Sequence, residues 1–139
     1  MCETPTMSTS VRAADATPGP SSGATVLIVD DELSIAEIIA EVLDEEGYVT
    51  LLASGGDQAM EILATRRPDL ILLDLYMPGM SGLDLLRHLR SADGTETLPV
   101  VVMTAGTVDT AALGRQGATR VLPKPFEVDA LIATVRSLA

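Results

Sequence analysis

Asp74 closes the apolar run Leu70–Leu73 and is followed at once by the turn-forming stretch LYMPGMSG, which ends at Gly82. Short unbroken apolar runs are the mark of strands buried on both faces of a parallel sheet, and a carboxylate at the end of one points to a site. The same pattern picks out Asp30 and Asp31 after TVLIV (25–29), Thr104 after PVVVM (99–103), and Lys124, between Pro123 and Pro125, after TRVL (119–122). Brought to one edge, three carboxylates would share a cleft, where like charges raise one another's pKa unless a cation offsets them. An oxygen-only cluster suits a hard ion such as Mg²⁺. Zinc has no candidate ligands, because His88 falls on a helix away from this edge and Cys2 lies in the N-terminal segment. Lys124 is the only lysine in the chain, a compact point charge suited to phosphate, and its flanking prolines stiffen the loop that carries it. A carboxylate nucleophile, a metal site, a lysine and a hydroxyl are the equipment of in-line phosphoryl transfer, with Asp74 becoming an aspartyl phosphate.

The elements that must position these residues alternate along the chain. Strands are expected at 25–29, 48–52, 70–73, 99–103 and 119–122. Within Leu33–Glu46, Ile35, Ile38, Ile39, Val42 and Leu43 recur at helical spacing, and Gly47 supplies a left-handed stop. Ser54 is placed to cap a helix holding Ala59, Met60, Ile62 and Leu63. Ser54, Gly55 and Gly56 read as a turn rather than a phosphate loop, since no lysine follows. Leu83–Ser91 presents Leu85, Leu86 and Leu89 on one face, and a short helix over Asp109–Gln116 stops at Gly117. The last helix, Phe126–Leu138, turns Val128, Leu131, Ile132, Val135 and Leu138 inward. Five strands alternating with five helices imply an α/β protein, a parallel sheet covered on both faces. Sites in such sheets form outside the carboxyl ends of the strands, where the chemically suggestive residues collect.

Composition bounds what this domain can do. With 139 residues, 47% hydrophobic and 21% charged, the chain has room for one domain with a real core. A net charge of −11, and no Lys or Arg anywhere from 13 to 65, argue against direct contact with nucleic acid or an anionic membrane. An aromatic content of 2% leaves no platform for stacking bases. Residues 1–23, rich in Thr, Ser, Pro, Ala and Gly without hydrophobic period, are expected to form a disordered tail. The lone Cys2, the missing basic and apolar leader and the lack of a membrane-length apolar run lead to a cytoplasmic expectation.

The segments VLIVDDE, LILLDLYMPGMSG, VVMTA and LPKPF, in this order and at about these separations, resemble the receiver domain of bacterial two-component response regulators. The resemblance covers roughly 24–139. It implies a flavodoxin-like (βα)₅ doubly wound sheet of strand order 2-1-3-4-5. It also implies that Asp74 is the phosphoacceptor and that Asp31, Asp74 and the backbone carbonyl of Tyr76 ligate Mg²⁺, with Asp30 acting through metal-bound water. Thr104 would hydrogen-bond the phosphoryl group, Lys124 would pair with it, and the bond into Pro125 would be cis. The phosphodonor would be a histidine kinase or a histidine phosphotransfer protein. A downstream protein partner would read the face formed by the fourth helix, fifth strand and fifth helix, the chain being a monomer or a phosphorylation-dependent dimer. No further domain is expected after Ala139, so output would pass through protein contacts. Tyr76 and Gly106 would flank the phosphoryl site and set its hydrolysis rate, with Ala105 in the same switch loop; the protein would not be an enzyme, but would assist its own phosphotransfer and dephosphorylation.

Two features depart from that pattern. Val121 stands where many receivers carry an inward-turning Tyr or Phe, and the interval from Thr104 to Lys124 is slightly short, suggesting a trimmed fourth helix. A phosphatase of the haloacid dehalogenase type also attacks with a strand-end Asp, but needs a second Asp two residues on, where Tyr76 stands. A receiver-fold binding module that is never phosphorylated is the alternative that Val121 favours.

Overall fold

The computed structural model describes residues 23–77, 79, 81–92, 94–105 and 110–139. The expected tail, apart from Gly23, lies outside these residues, as do Pro78 and Gly106. Strands β1 (Thr25–Val29), β2 (Val49–Ala53), β3 (Leu70–Asp74), β4 (Val100–Ala105) and β5 (Arg120–Lys124) form one parallel sheet in the order β2-β1-β3-β4-β5. Helices α1 (Leu33–Glu45), α2 (Gly56–Thr65), α3 (Gly82–Ser91), α4 (Thr110–Arg115) and α5 (Val128–Leu138) connect and follow them. This is the doubly wound arrangement expected.

Side-chain alternation along the strands divides the core in two. Val26, Ile28, Leu70, Leu72, Val101, Met103 and Leu122 face α1 and α5, meeting Ala36, Ile39, Leu43, Leu131 and Val135. Leu27, Val29, Ile71, Leu73, Val100 and Val102 face the other way, toward Ala59, Leu85, Leu86, Leu89 and Leu113 of α2, α3 and α4. Every residue of β3 is buried, which explains why its sequence is an apolar run rather than an alternating one.

Several local expectations change. Tyr48, expected to open the second strand, is buried before β2 begins, and β4 runs on through Thr104 and Ala105. Ile38 and Val128 point outward, 59% and 50% exposed, because the apolar stripes of α1 and α5 are narrower than their apolar residues suggest. Ser54 does not cap α2: its backbone N–H donates instead to Gln58 Oε1 at 2.6 Å, and Gly55 holds the N-cap position. Ser81 is the hydroxyl that caps, accepting from the Asp84 N–H at the start of α3. Gly47 takes φ 96° after α1, the left-handed stop expected there.

Candidate functional site

The strand period decides which side chains can meet. Asp30, Asp74 and Lys124 each lie two residues beyond a strand position that faces α1 and α5: Ile28, Leu72 and Leu122. All three therefore project on the same side of the sheet at its carboxyl edge. Lys124 Nζ lies 3.2 Å from Asp30 Oδ2 and 3.6 Å from Asp74 Oδ1. Asp31, one residue past Asp30 and exposed, completes a group in which one carboxylate oxygen from each of Asp30, Asp31 and Asp74 lies within 4.8 Å of the others.

Burial sharpens the electrostatics. Among the described residues the buried polar side chains are Asp30, Asp74 and Thr104. Asp30 is anchored from two sides, its Oδ1 accepting the Glu32 N–H at 2.9 Å while Oδ2 faces Lys124. Burial pushes the Asp74 carboxyl up from 3.8 to about 6, and the neighbouring Asp30 charge adds to the rise. Lys124 and the Tyr76 backbone N–H, which donates to the Asp74 carboxylate, pull the other way. Two buried acids sharing one ammonium form a site in which further positive charge would be favourable. The donor set is all oxygen, and carboxylates on both buried and open sides fit a hard, partly hydrated divalent ion such as Mg²⁺.

Thr104 lies at the same carboxyl edge, one residue before the end of β4 and in line with Val100 and Val102, and its buried hydroxyl donates to the Ala105 carbonyl at 3.3 Å. Val121 also packs into the core beneath α2, α3 and α4. Ala105 is exposed beside it at the end of β4, opposite Lys124 in the register. The Tyr76 ring is 63% exposed, and the Lys124–Pro125 bond is cis. His88 sits in the last turn of α3, at the far end of the sheet from the cleft.

Three supports were not read from the sequence. The Glu32 and Tyr76 N–H groups on Asp30 and Asp74 are backbone donors, which no residue type announces. Gly82, read only as a turn former, packs directly on the backbone of Asp74 and Leu75. Its signal was its place at the first position of a helix that follows the reactive strand so closely.

Residues 26–136 match the family model described as the response regulator receiver domain. The chain belongs to this family. The receiver domain is 42% identical over 114 residues to the DNA-binding response regulator MtrA of Mycobacterium leprae, a match covering 81% of this chain and 49% of that protein. It is 39% identical over 113 residues to sporulation initiation phosphotransferase F of Bacillus subtilis, covering 80% of this chain and 90% of that one. The chain spans about half the length of MtrA and most of the phosphotransferase. The solved structure of Vibrio cholerae chemotaxis protein CheY4 superposes on this receiver with a TM-score of 0.79 at 29% identity, covering 85% of this chain and 100% of that one. Among the described residues, no helix is long and apolar enough to cross a membrane.

Proposed function

We propose that this receiver domain accepts a phosphoryl group on Asp74 from a phosphohistidine of a kinase or phosphotransfer protein and passes the signal on in the cytoplasm through protein contacts. The observation that carries the reading is the convergence of Asp30, Asp31, Asp74 and Lys124 at one sheet edge, with Asp74 held at the end of a fully buried strand. An Asp74 carboxylate oxygen attacks phosphorus in line. The phosphorus–nitrogen bond of the donor breaks, and its electron pair returns to the imidazole. Lys124, already between Asp30 and Asp74, is placed to hold charge on the transferred oxygens.

Asp31, Asp74 and the Tyr76 carbonyl would hold Mg²⁺, with Asp30 touching it through water; when bound, the ion neutralises phosphoryl charge. Thr104 would receive the phosphoryl group by turning its hydroxyl from Ala105 toward it, and Ala105, Gly106 and Val121 would carry the response toward α4, β5 and α5. With a valine at 121 in place of a large ring, that response runs through backbone movement rather than a rotamer change. Tyr76, exposed at the rim, would shield the aspartyl phosphate from water. The match along 90% of sporulation initiation phosphotransferase F supports relay to another protein as one form of output.

The test is intact-protein mass after incubation with Mg²⁺ and a small acyl phosphate, beside an Asp74→Asn control. One added phosphoryl group, dependent on the metal and absent from the control, is expected. A folded protein that gains none from either this donor or a phosphohistidine protein would instead be a receiver-fold binding module.

A further inference from the structure

The backbone of Asp74 is bracketed by two neighbours. On one side Leu75 N–H donates to the Met103 carbonyl at 3.0 Å, continuing the β3–β4 ladder one residue past Asp74. On the other, the Leu75 carbonyl accepts the Gly82 N–H at 3.0 Å. Gly82 is the first residue of α3, so this bond satisfies one of the helix's otherwise unpartnered N–H groups and closes the loop that carries Tyr76. The closure leaves no room for a side chain. A Cβ on Gly82 would collide with the Asp74 carbonyl oxygen and lie 2.8 Å from Leu75 Cα and 3.0 Å from the Leu75 carbonyl oxygen. All three obstacles are main-chain atoms, which cannot step aside by changing rotamer.

Other glycines present a different picture. At Gly94 and Gly117 the nearest atoms belong to the flexible arms of Arg67 and Arg90, and at Gly114 nothing lies within 4 Å. At Gly82 the obstacle is backbone instead, that of the proposed acceptor Asp74 and of Leu75 beside it.

We infer that Gly82 is a positioning residue for phosphoryl transfer: its missing side chain lets α3 seat against the Asp74–Leu75 peptide and fixes the reacting carboxylate relative to Lys124. The inference rests on Asp74 being the acceptor. A methyl group at this position must move the helix or the strand end by roughly 0.6 Å or more, from 2.8 Å to the 3.4 Å of ordinary contact. A misplacement of about 1 Å can cost on the order of 100-fold in a reaction that depends on alignment. Gly82→Ala should therefore lower the saturating rate of phosphorylation by a small acyl phosphate roughly 10- to 100-fold, with little change in the donor concentration giving half that rate.

The experiment compares wild type, Gly82→Ala and Gly114→Ala below the melting temperature of each, and records the Leu75 and Tyr76 amide chemical shifts. Gly114→Ala should react as wild type does, and Leu43→Ala, in the core on the α1 side of the sheet, supplies a core-destabilised control whose rate per folded molecule should stay unchanged. If Gly82→Ala is labelled as fast as wild type, the inference is wrong and the function stands. Should wild type itself take no phosphoryl group, the acceptor reading fails; unshifted Leu75 and Tyr76 amides in Gly82→Ala would then independently overturn the positional claim. Should Gly82→Ala not fold, Ser81→Ala decides, because losing the Asp84 N–H cap loosens the same first turn. Faster hydrogen exchange at Gly82 with an undiminished labelling rate would refute the inference.

Discussion

Replacing Asp74 by Asn should make the metal-free protein more stable at neutral pH, although it removes the residue on which the proposed chemistry depends. Asn has the shape of the protonated acid without its ionised form. An acid whose pKa is raised from 3.8 to about 6 on folding holds more protons folded than unfolded between those values. Stability therefore falls as pH rises through that window, and the full cost is present above it. A shift of about two units is at most ~3 kcal/mol at about 1.4 kcal/mol per unit, and solvent at the open side of the cleft together with the titration shared with Asp30 reduces it to about 1–2 kcal/mol. For a domain of this size that is an increase of about 5 °C in melting temperature. Thermal melts in EDTA, at steps from pH 4 to pH 8, should show Asp74→Asn and wild type converging at the acid end and separating as pH rises. A pH-independent difference, or an Asn variant less stable than wild type at pH 7.5, would refute the argument that burial and the Asp30 charge hold ionised Asp74 under strain.

The same cluster makes further predictions. Lys124→Met leaves Asp30 and Asp74 facing each other without their shared ammonium, so it should destabilise the metal-free protein by about 3 kcal/mol; the loss should shrink on adding Mg²⁺ and in an Asp74→Asn background, as read by urea unfolding. Arg90→Ala removes hydrogen bonds to the Gly117 and Thr95 carbonyls, at 2.9 and 3.0 Å, that tie α3 to the approach to β5 and to the approach to β4. It should cost about 2 kcal/mol in the same assay while leaving the rate of Asp74 labelling per folded molecule unchanged.

The sheet was legible because each strand is a short apolar run punctuated by Gly, Pro or acid, and period-two alternation assigns each residue to a face. The same rule, applied past the strand ends, brings Asp30, Asp74 and Lys124 together. What the pattern did not reveal depends on three-dimensional detail. Val128 and Ile38 look like core residues by type, yet the helix turn carries them past the edge of the buried stripe. Ser54 is a plausible cap in sequence, yet its side chain makes no cap bond to α2 and its N–H goes to Gln58, whereas Ser81, not singled out by residue type, accepts the Asp84 N–H. Thr104 shares the strand-end position of Asp74, but its hydroxyl is engaged by the Ala105 carbonyl, a backbone acceptor that no residue type announces. Backbone donors such as the Tyr76 N–H carry no residue signature at all.

Trapping the phosphorylated residue shows whether Asp74 is the acceptor. After phosphorylation in Mg²⁺, borohydride reduces an aspartyl phosphate to homoserine, which peptide mass spectrometry locates by position. Homoserine is expected at position 74 and at no other acid, with none formed when Mg²⁺ is withheld. Homoserine at 30 or 31, or a phosphoryl group that survives borohydride unchanged on a hydroxyl, would contradict it.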